Sequence, residues 1–344
     1  MVKSLLQWLA LTGLAFFISS CAKVAPQLVH LQGSTMGTYY QVKYVLDVKQ
    51  QQDSRFSAQT IQAQIDQRLE LVNDQMSTYR PDSELSRFNK AEKSLVVSDA
   101  MRTVIKESLT LFEQSNGAFD VTVGPLVNLW GFGPDKKANK VPSDQLIAEK
   151  QKIVGSQHLS VSGNTLNKAI PELYVDLSSI AKGYGVDVIA EYFQEMGITN
   201  YLVDIGGELS LKGMKPDNKN WTIAIERPVA GQNVQRVINI GDNAIATSGD
   251  YRNYFEFEGI RYSHTIDPKT GKPISHKLVS VSVVHKSCML ADGYATAITV
   301  LGPEAGLDFA KKHNLPVFLL VKEGDHFTEY YTSEFEPFLL EEKQ

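Results

Sequence analysis

Apolar and polar positions along this chain fall into two rhythms. Tyr40, Val42, Tyr44 and Leu46 alternate along one segment, the period of a strand with one buried face. Ile61, Ile65, Leu69, Val72 and Met76 then recur every three or four residues behind Ser57, which predicts a capped helix with a single apolar stripe. A second helix is predicted with Asp99 as its cap, Val104, Ile105, Leu109 and Phe112 inward, and Asn116-Gly117 as its end. A third runs from Ser143 to Gly155. Residues 159–176 read as short strands, a helix follows over about 179–196, and strands fill most of 201–284, with a hairpin turn at Glu258-Gly259. Two helices, near 288–300 and 303–313, and two strands, near 316–321 and 326–331, complete the pattern. No repeat or low-complexity segment interrupts it. The mixture predicts an α+β protein of two interleaved subdomains, not a simple alternation of strand and helix.

The first 20 residues stand apart. Lys3 is their only charge, an apolar stretch from Leu5 to Ile18 follows, and Ser19, Ser20 and Cys21 close it, the layout of a secretory signal. Ile18-Ser19-Ser20-Cys21 also resembles the lipobox of bacterial lipoproteins, in which cleavage before the cysteine is coupled to attachment of diacylglycerol to its thiol. The expected organisation is a signal peptide at 1–20, a lipidated tether at 21–32 and a folded domain over 33–340. Cys21 and Cys288 are the only cysteines, so a lipidated Cys21 leaves Cys288 without an intrachain partner, and Cys288 reads as a small buried hydrophobe.

Composition narrows the classes. With 344 residues, 43% hydrophobic and 21% charged, the chain is large enough for one big domain or two intimate subdomains. The net charge of -5 carries no basic block, which argues against nucleic acid as a partner. Several familiar sites are missing: there is no H-E-x-x-H and no G-x-S-x-G. Thr270-Gly271-Lys272-Pro273 lacks the upstream glycine of a phosphate loop, and Gly131-Phe132-Gly133 lacks the third glycine of a dinucleotide fingerprint. The seven histidines show no ligand spacing.

Six polar, glycine-bearing segments carry the candidate chemistry: 33–38, 77–79, 117–125, 176–184, 263–268 and 291–296. Asp292 and Thr296 lie four apart on a predicted helix, so their oxygens share a face. That pair suits a hard cation such as Mg²⁺, and equally a capped helix start with a solvated Asp. Asp176 ends a predicted strand, and Lys182, just inside the next helix's N-terminus, suits a phosphate or a surface ion pair. Phe119 offers a face for stacking an aromatic ring or a side chain for the core. Met36 and Tyr79 fit a ring pocket or simple packing, and His264 fits an acid/base role or a structural one.

Taken together, these segments resemble the ApbE family, the FAD:protein FMN transferases, over about residues 33–335. The run from Asp120 through Gly133, Ser248-Gly249-Asp250-Tyr251-Arg252-Asn253-Tyr254, His264-Thr265-Ile266-Asp267-Pro268 and Gly206-Gly207-Glu208 carry the match. The resemblance implies FAD bound between two subdomains, touched by Met36, Tyr79, Ala118, Phe119, Asp120, Asp176, Lys182 and Ile266. It implies Mg²⁺ held by the Ser179 backbone oxygen, Asp292 and Thr296. Two departures are visible: many members have Gly-Gly where this chain has Ser178-Ser179, and some carry a carboxylate where it has Ala295. The implied reaction is transfer of FMN from FAD to a threonine hydroxyl with release of AMP, with Asp292 on the metal and His264 or Asp267 taking the proton. The implied targets are subunits of Na⁺-translocating NADH:quinone reductase or Rnf-type complexes, reached from a lipid anchor on the periplasmic side of the inner membrane. Two rivals stay open at this point: an FAD pyrophosphatase that frees FMN, and a non-catalytic flavin-binding lipoprotein.

Overall fold

The structure, a computed structural model, describes residues 25–133, 141–228, 234–249 and 254–340. Its frame is one eight-stranded sheet: β1 (Gln27–Thr35), β2 (Thr38–Leu46), β3 (Tyr201–Ile205), β4 (Glu208–Lys212), β5 (Ala244–Gly249), β6 (Leu278–His285), β7 (Val317–Glu323) and β8 (His326–Tyr331). Spatial order follows chain order, and every neighbouring pair is antiparallel.

The connections place the rest of the molecule. Between β2 and β3 the chain leaves the sheet to build α1 (Ala58–Met76), α2 (Glu84–Lys90), α3 (Asp99–Gln114), α4 (Gly124–Leu129) and α5 (Asp144–Gln151). A small sheet of Ser94–Val96, Thr165–Lys168 and Leu159–Ser162 accompanies them. The chain returns through α6 (Ala181–Glu195). A second excursion, between β5 and β6, carries the hairpins Tyr254–Phe257/Ile260–Ser263 and Ile266–Asp267/Lys272–Pro273. It meets the first excursion in a satellite core of Leu126, Trp130, Ile147, Phe255 and Ile266, where Trp130 Nε1 donates to the Gly271 carbonyl at 2.8 Å. Helices α7 (Cys288–Leu301) and α8 (Pro303–Lys312) join β6 to β7. This interleaving is the α+β arrangement expected.

Alternation along the strands explains why both faces of the sheet are buried. Tyr40, Val42, Tyr44, Val203 and Ile205 point to α1 and α6, while Val281, Val283, Val317 and Leu319 point to α7. The opposite parity, with Val45, Leu211, Ile245, Val284, Phe318 and Leu320, packs under Trp221, Ile223, Ile238 and Phe335. Covered on both sides, β7 reads as the continuous run Val317-Phe318-Leu319-Leu320-Val321.

Several sequence expectations are corrected. The first strand begins at Gln27, so much of the stretch read as a tether is edge strand; its alternation is weak because edge positions stay exposed. Ser98, not Asp99, caps α3, its side chain accepting from the Met101 N–H. The helix after Ser143 stops at Gln151, and Asp176 lies in an extended segment outside any strand, tied to the protein by its N–H on the Val121 carbonyl at 2.7 Å. Helices α2 and α4 are too short to impose a readable period. The signal peptide and Cys21 lie outside the described residues. Among the described residues, no helix is long and apolar enough to cross a membrane.

Candidate active site

Two hairpin tips and one helix start meet at the same end of the sheet. Met36-Gly37 closes the β1–β2 hairpin with φ of 49° and 71°, the paired left-handed conformation of a tight two-residue turn. Met36 thus stands in a region that side chains seldom occupy. Its side chain lies on α6, where a Cβ at Gly185 would come within 2.8 Å of the Met36 Cε. Gly206-Gly207 closes the β3–β4 hairpin, and the Gly206 N–H donates to the Tyr39 carbonyl at 3.0 Å. A cleft of about 990 Å³ opens beside these tips. Its walls include Met36, the loop Ser77–Arg80, Asp176, Ser178 and Lys182. That volume suits a large small-molecule ligand.

Behind the cleft, α6 and α7 cross closely. A Cβ at Gly183 would collide with the Cys288 carbonyl and come within 2.8 Å of the Met289 Cα. The crossing is locked by Asp187 of α6, whose carboxylate accepts from the Cys288 N–H at 2.8 Å, the Met289 N–H at 3.0 Å and the Ser287 hydroxyl at 2.7 Å. It thereby satisfies N–H groups at the start of α7. One turn further along α7, Asp292 is only 4% exposed, and its Oδ2 accepts the Gly183 N–H at 3.0 Å. In a regular first turn that N–H would serve the Ser179 carbonyl, which accepts no backbone hydrogen bond among the described residues. Thr296, on the same face of α7, holds its hydroxyl 3.4 Å from that of Ser248.

The charges interact. Burial pushes the Asp292 carboxyl up to about 6, against the nearby Lys182 ammonium and the Gly183 N–H, which favour ionisation. Burial opposes charge on Lys182 as well, but Glu208 and Asp292 outweigh it and raise its pKa. Glu208 itself is 3% exposed, pairs with the Lys182 Nζ at 2.6 Å, and is pushed upward chiefly by burial.

The structure brings some predicted residues together and separates others. Met36, Tyr79, Asp176 and Lys182 share the cleft. Tyr79 is 70% exposed, so its ring is open to a ligand. Asp176 Oδ1 accepts from the Ser178 N–H at 2.9 Å and the Ser178 hydroxyl at 2.6 Å, which fixes the loop leading into α6. Asp292 reaches the α6–α7 crossing through the Gly183 N–H, Thr296 lies one turn further along α7 beside Ser248, and Ser179 stands in the loop before α6. Phe119 is a correction: its ring is 1% exposed in the core, 3.7 Å from where a Cβ on Gly293 would sit, and offers no stacking face. Asp120 is another. Its carboxylate accepts from the Thr122 N–H and hydroxyl at 2.8 and 2.6 Å and from the Ser156 hydroxyl at 2.6 Å, a loop clamp turned inward. Ala118 is buried beside them, and Ile266 sits in the satellite core. His264 packs edge-on to Phe132 with ring centroids 6.4 Å apart, and Asp267 Oδ1 accepts from the Lys269 N–H at 2.9 Å; neither lines the cleft. Glu208 was missed as a site residue, although Gly206-Gly207-Glu208 had marked its position. Among the described residues no three His, Cys, Asp or Glu side chains cluster as metal ligands.

A glycine-tipped cleft with a lysine at its wall and a buried aspartate behind it has the chemistry of a pocket for an anionic ligand. Comparison with known proteins makes this specific. The sequence pattern of the ApbE family matches residues 36–319, and the chain belongs to that family and is a transferase enzyme. The FAD:protein FMN transferase of Vibrio cholerae is 54% identical over 335 residues, covering 96% of this chain and 98% of that protein. The protein of the same description from Escherichia coli strain K12 is 40% identical over 343 residues, covering 95% of each. Two solved structures are similar: the flavin transferase ApbE from Vibrio cholerae (TM-score 0.84, 53% identity, 91% of this chain and 100% of that one) and the apo flavinyl transferase ApbE from Pseudomonas stutzeri (TM-score 0.84, 40% identity, 92% and 98%).

Proposed function

We propose that this enzyme transfers FMN from FAD to a threonine hydroxyl of a target electron-transport protein, with Mg²⁺ as cofactor and AMP as the other product. The observation that carries the reading is the constellation of Lys182 at the cleft wall and buried Asp292 behind it, in a chain whose relatives are FAD:protein FMN transferases. The threonine oxygen forms a bond to the FMN-side phosphorus, the pyrophosphate P–O bond to AMP breaks, and the threonine proton passes to a base. His264 and Asp267 lie on the second excursion, outside the cleft walls, and are the proposed acceptors of that proton where the target threonine docks. Lys182 stabilises charge on the pyrophosphate oxygens. Met36 and exposed Tyr79 hold the ring systems.

The residues present fit Mg²⁺. Asp292 supplies a buried carboxylate, Thr296 a hydroxyl one helical turn away, and the Ser179 carbonyl is spared by Gly183, an all-oxygen set of the kind this ion takes. When bound, the ion neutralises the pyrophosphate. Ser178-Ser179 in place of Gly-Gly costs nothing to a backbone ligand.

We also propose that Cys21 carries a lipid anchor that holds the enzyme on the periplasmic face of the inner membrane. Its targets there are subunits of Na⁺-translocating NADH:quinone reductase or Rnf-type complexes. The lipobox residues Ile18-Ser19-Ser20-Cys21 support this.

The test mixes mature protein, FAD, Mg²⁺ and a candidate target domain, and follows in-gel flavin fluorescence and an FMN-sized mass gain on the target. Asp292→Asn keeps the side-chain shape and removes its charge; it is expected to lower transfer by several orders of magnitude while remaining folded, because the ion's charge stabilisation is worth several kcal/mol. Release of free FMN with no gain on any target would overturn the reading in favour of an FAD pyrophosphatase. Normal transfer by a folded Asn variant at low Mg²⁺ would remove Asp292 from its role.

A further inference from the structure

The geometry points to Glu208 as a positioning residue, one that fixes the Lys182 ammonium at the cleft wall without itself touching the ligand. This rests on the reading of the cleft as the FAD site. Glu208 is the first residue of β4, directly after the Gly206-Gly207 turn. That turn is held tightly: a Cβ at Gly206 would come within 2.8 Å of the Thr38 Cγ2, and the Gly207 N–H donates to Asp204 Oδ1 at 2.9 Å. The carboxylate that follows therefore has little freedom. One oxygen meets the Lys182 Nζ at 2.6 Å, and the other, Oε2, is buried with no hydrogen-bond partner.

Such an arrangement is poor for stability. A buried carboxylate with one oxygen unsatisfied costs free energy that an apolar side chain of similar volume would avoid. Its return is in the position of its partner. Lysine carries its charge on a flexible four-carbon stem, and at a cleft wall that stem would sample many rotamers. Glu208 is 3% exposed and its partner's side chain 32%, so the pair reaches from the interior to the cleft, with the carboxylate behind and the ammonium in front. The other carboxylates that act on Lys182 are Asp292 and Asp204, and the buried Cys288 thiol also acts on it. Neither carboxylate is within ion-pair distance of it, so Glu208 is the group that sets where the charge stands. A cation held in place before the ligand arrives stabilises developing phosphate charge without reorganising.

The experiment is a double-mutant cycle on Lys182→Met and Glu208→Gln, read by FAD affinity from flavin fluorescence, by transfer kinetics and by thermal unfolding. Glu208→Gln is expected to weaken FAD binding and lower kcat/KM for FAD by about tenfold or more with the fold retained. It is expected to change neither further in the Lys182→Met background. Glu208→Asp, which keeps the charge but draws it back, should fall between. A readout without FAD complements these: mass-spectrometric labelling of Lys182 by an amine-reactive reagent near neutral pH should rise severalfold in Glu208→Gln, since an unpinned lysine is more accessible and loses its proton more readily. Equal effects of Glu208→Gln with and without Lys182, or unchanged labelling, overturn the proposal. Failure of wild-type protein to bind FAD, with labelling still raised in the variant, would count against the flavin reading and leave the pairing standing.

Discussion

Tyr79 and Phe119 show how much turns on where one ring points. Both are aromatic, both sit in segments that the family shares, and sequence assigns both to the ligand. Tyr79 stands 70% exposed in the cleft, whereas Phe119 is 1% exposed in the main core. Their alanine variants should therefore part company. Tyr79→Ala is expected to weaken FAD binding by about tenfold, the size of a lost stacking contact of roughly 1–3 kcal/mol, and to leave thermal unfolding nearly unchanged. Phe119→Ala is expected to lose about 3–5 kcal/mol of stability, as large-to-small changes in cores do. Fluorescence titration and denaturant unfolding of the two variants check this; the reverse pattern would return Phe119 to the ligand. Asp120 follows the same logic, since its carboxylate serves Thr122 and Ser156.

At the scale of elements, the α6–α7 crossing carries the chemistry. Gly183 lets the helices touch and turns its N–H to Asp292. Gly183→Ala forces the helices apart, and is expected to cost about 1–3 kcal/mol as overpacking does and to raise the Mg²⁺ concentration needed for transfer. Thermal unfolding and a Mg²⁺ titration test both parts; wild-type values in each would show that the contact is slack. The start of α7 also gives a pH dependence. His285 Nδ1 accepts the Ser287 N–H at 3.0 Å when the ring is neutral, and lies 3.3 Å from the Ser287 carbonyl, to which it donates when protonated; burial lowers the His285 pKa below its ordinary 6.5 despite that carbonyl and Asp187. The unfolded chain thus binds this proton more readily than the fold. His285 contributes stability above pH 6.5 that is lost as pH falls through the window below it. His285→Gln should flatten that part of the acid slope in unfolding measured from pH 7.5 down to 5; an unchanged slope would assign it elsewhere, with half-buried His313 the next group to test.

On the scale of the whole molecule, β1 begins at Gln27, so only about five residues separate Cys21 from the folded frame. An anchor at Cys21 would hold the domain close to the bilayer, with the chain entering at the edge of the sheet. Cys21→Ser is expected to release the protein from membranes with transfer activity retained, because Cys21 precedes the first strand in the sequence and a diacyl anchor alone makes attachment stable. Fractionation after a salt wash checks it; a Ser variant that still sediments with membranes would exclude the lipid as the anchor.

Sequence alone determined the fold class, most of the long elements, the family and three segments that line the cleft, 33–38, 77–79 and 176–184. The reason is that these reside in local signals: periods of two and 3.6 residues, caps such as Ser57, left-handed turns at Glu258-Gly259, and short glycine-bearing motifs. Tertiary structure decided which way those segments face. It buried Phe119, spent the Asp120 carboxylate on a loop, and sealed Asp292 against Gly183, 109 residues away. It also set Glu208 of one hairpin against Lys182 of a helix start. Burial and ion pairing depend on which distant segments pack together, and that information lies in no single stretch of the chain.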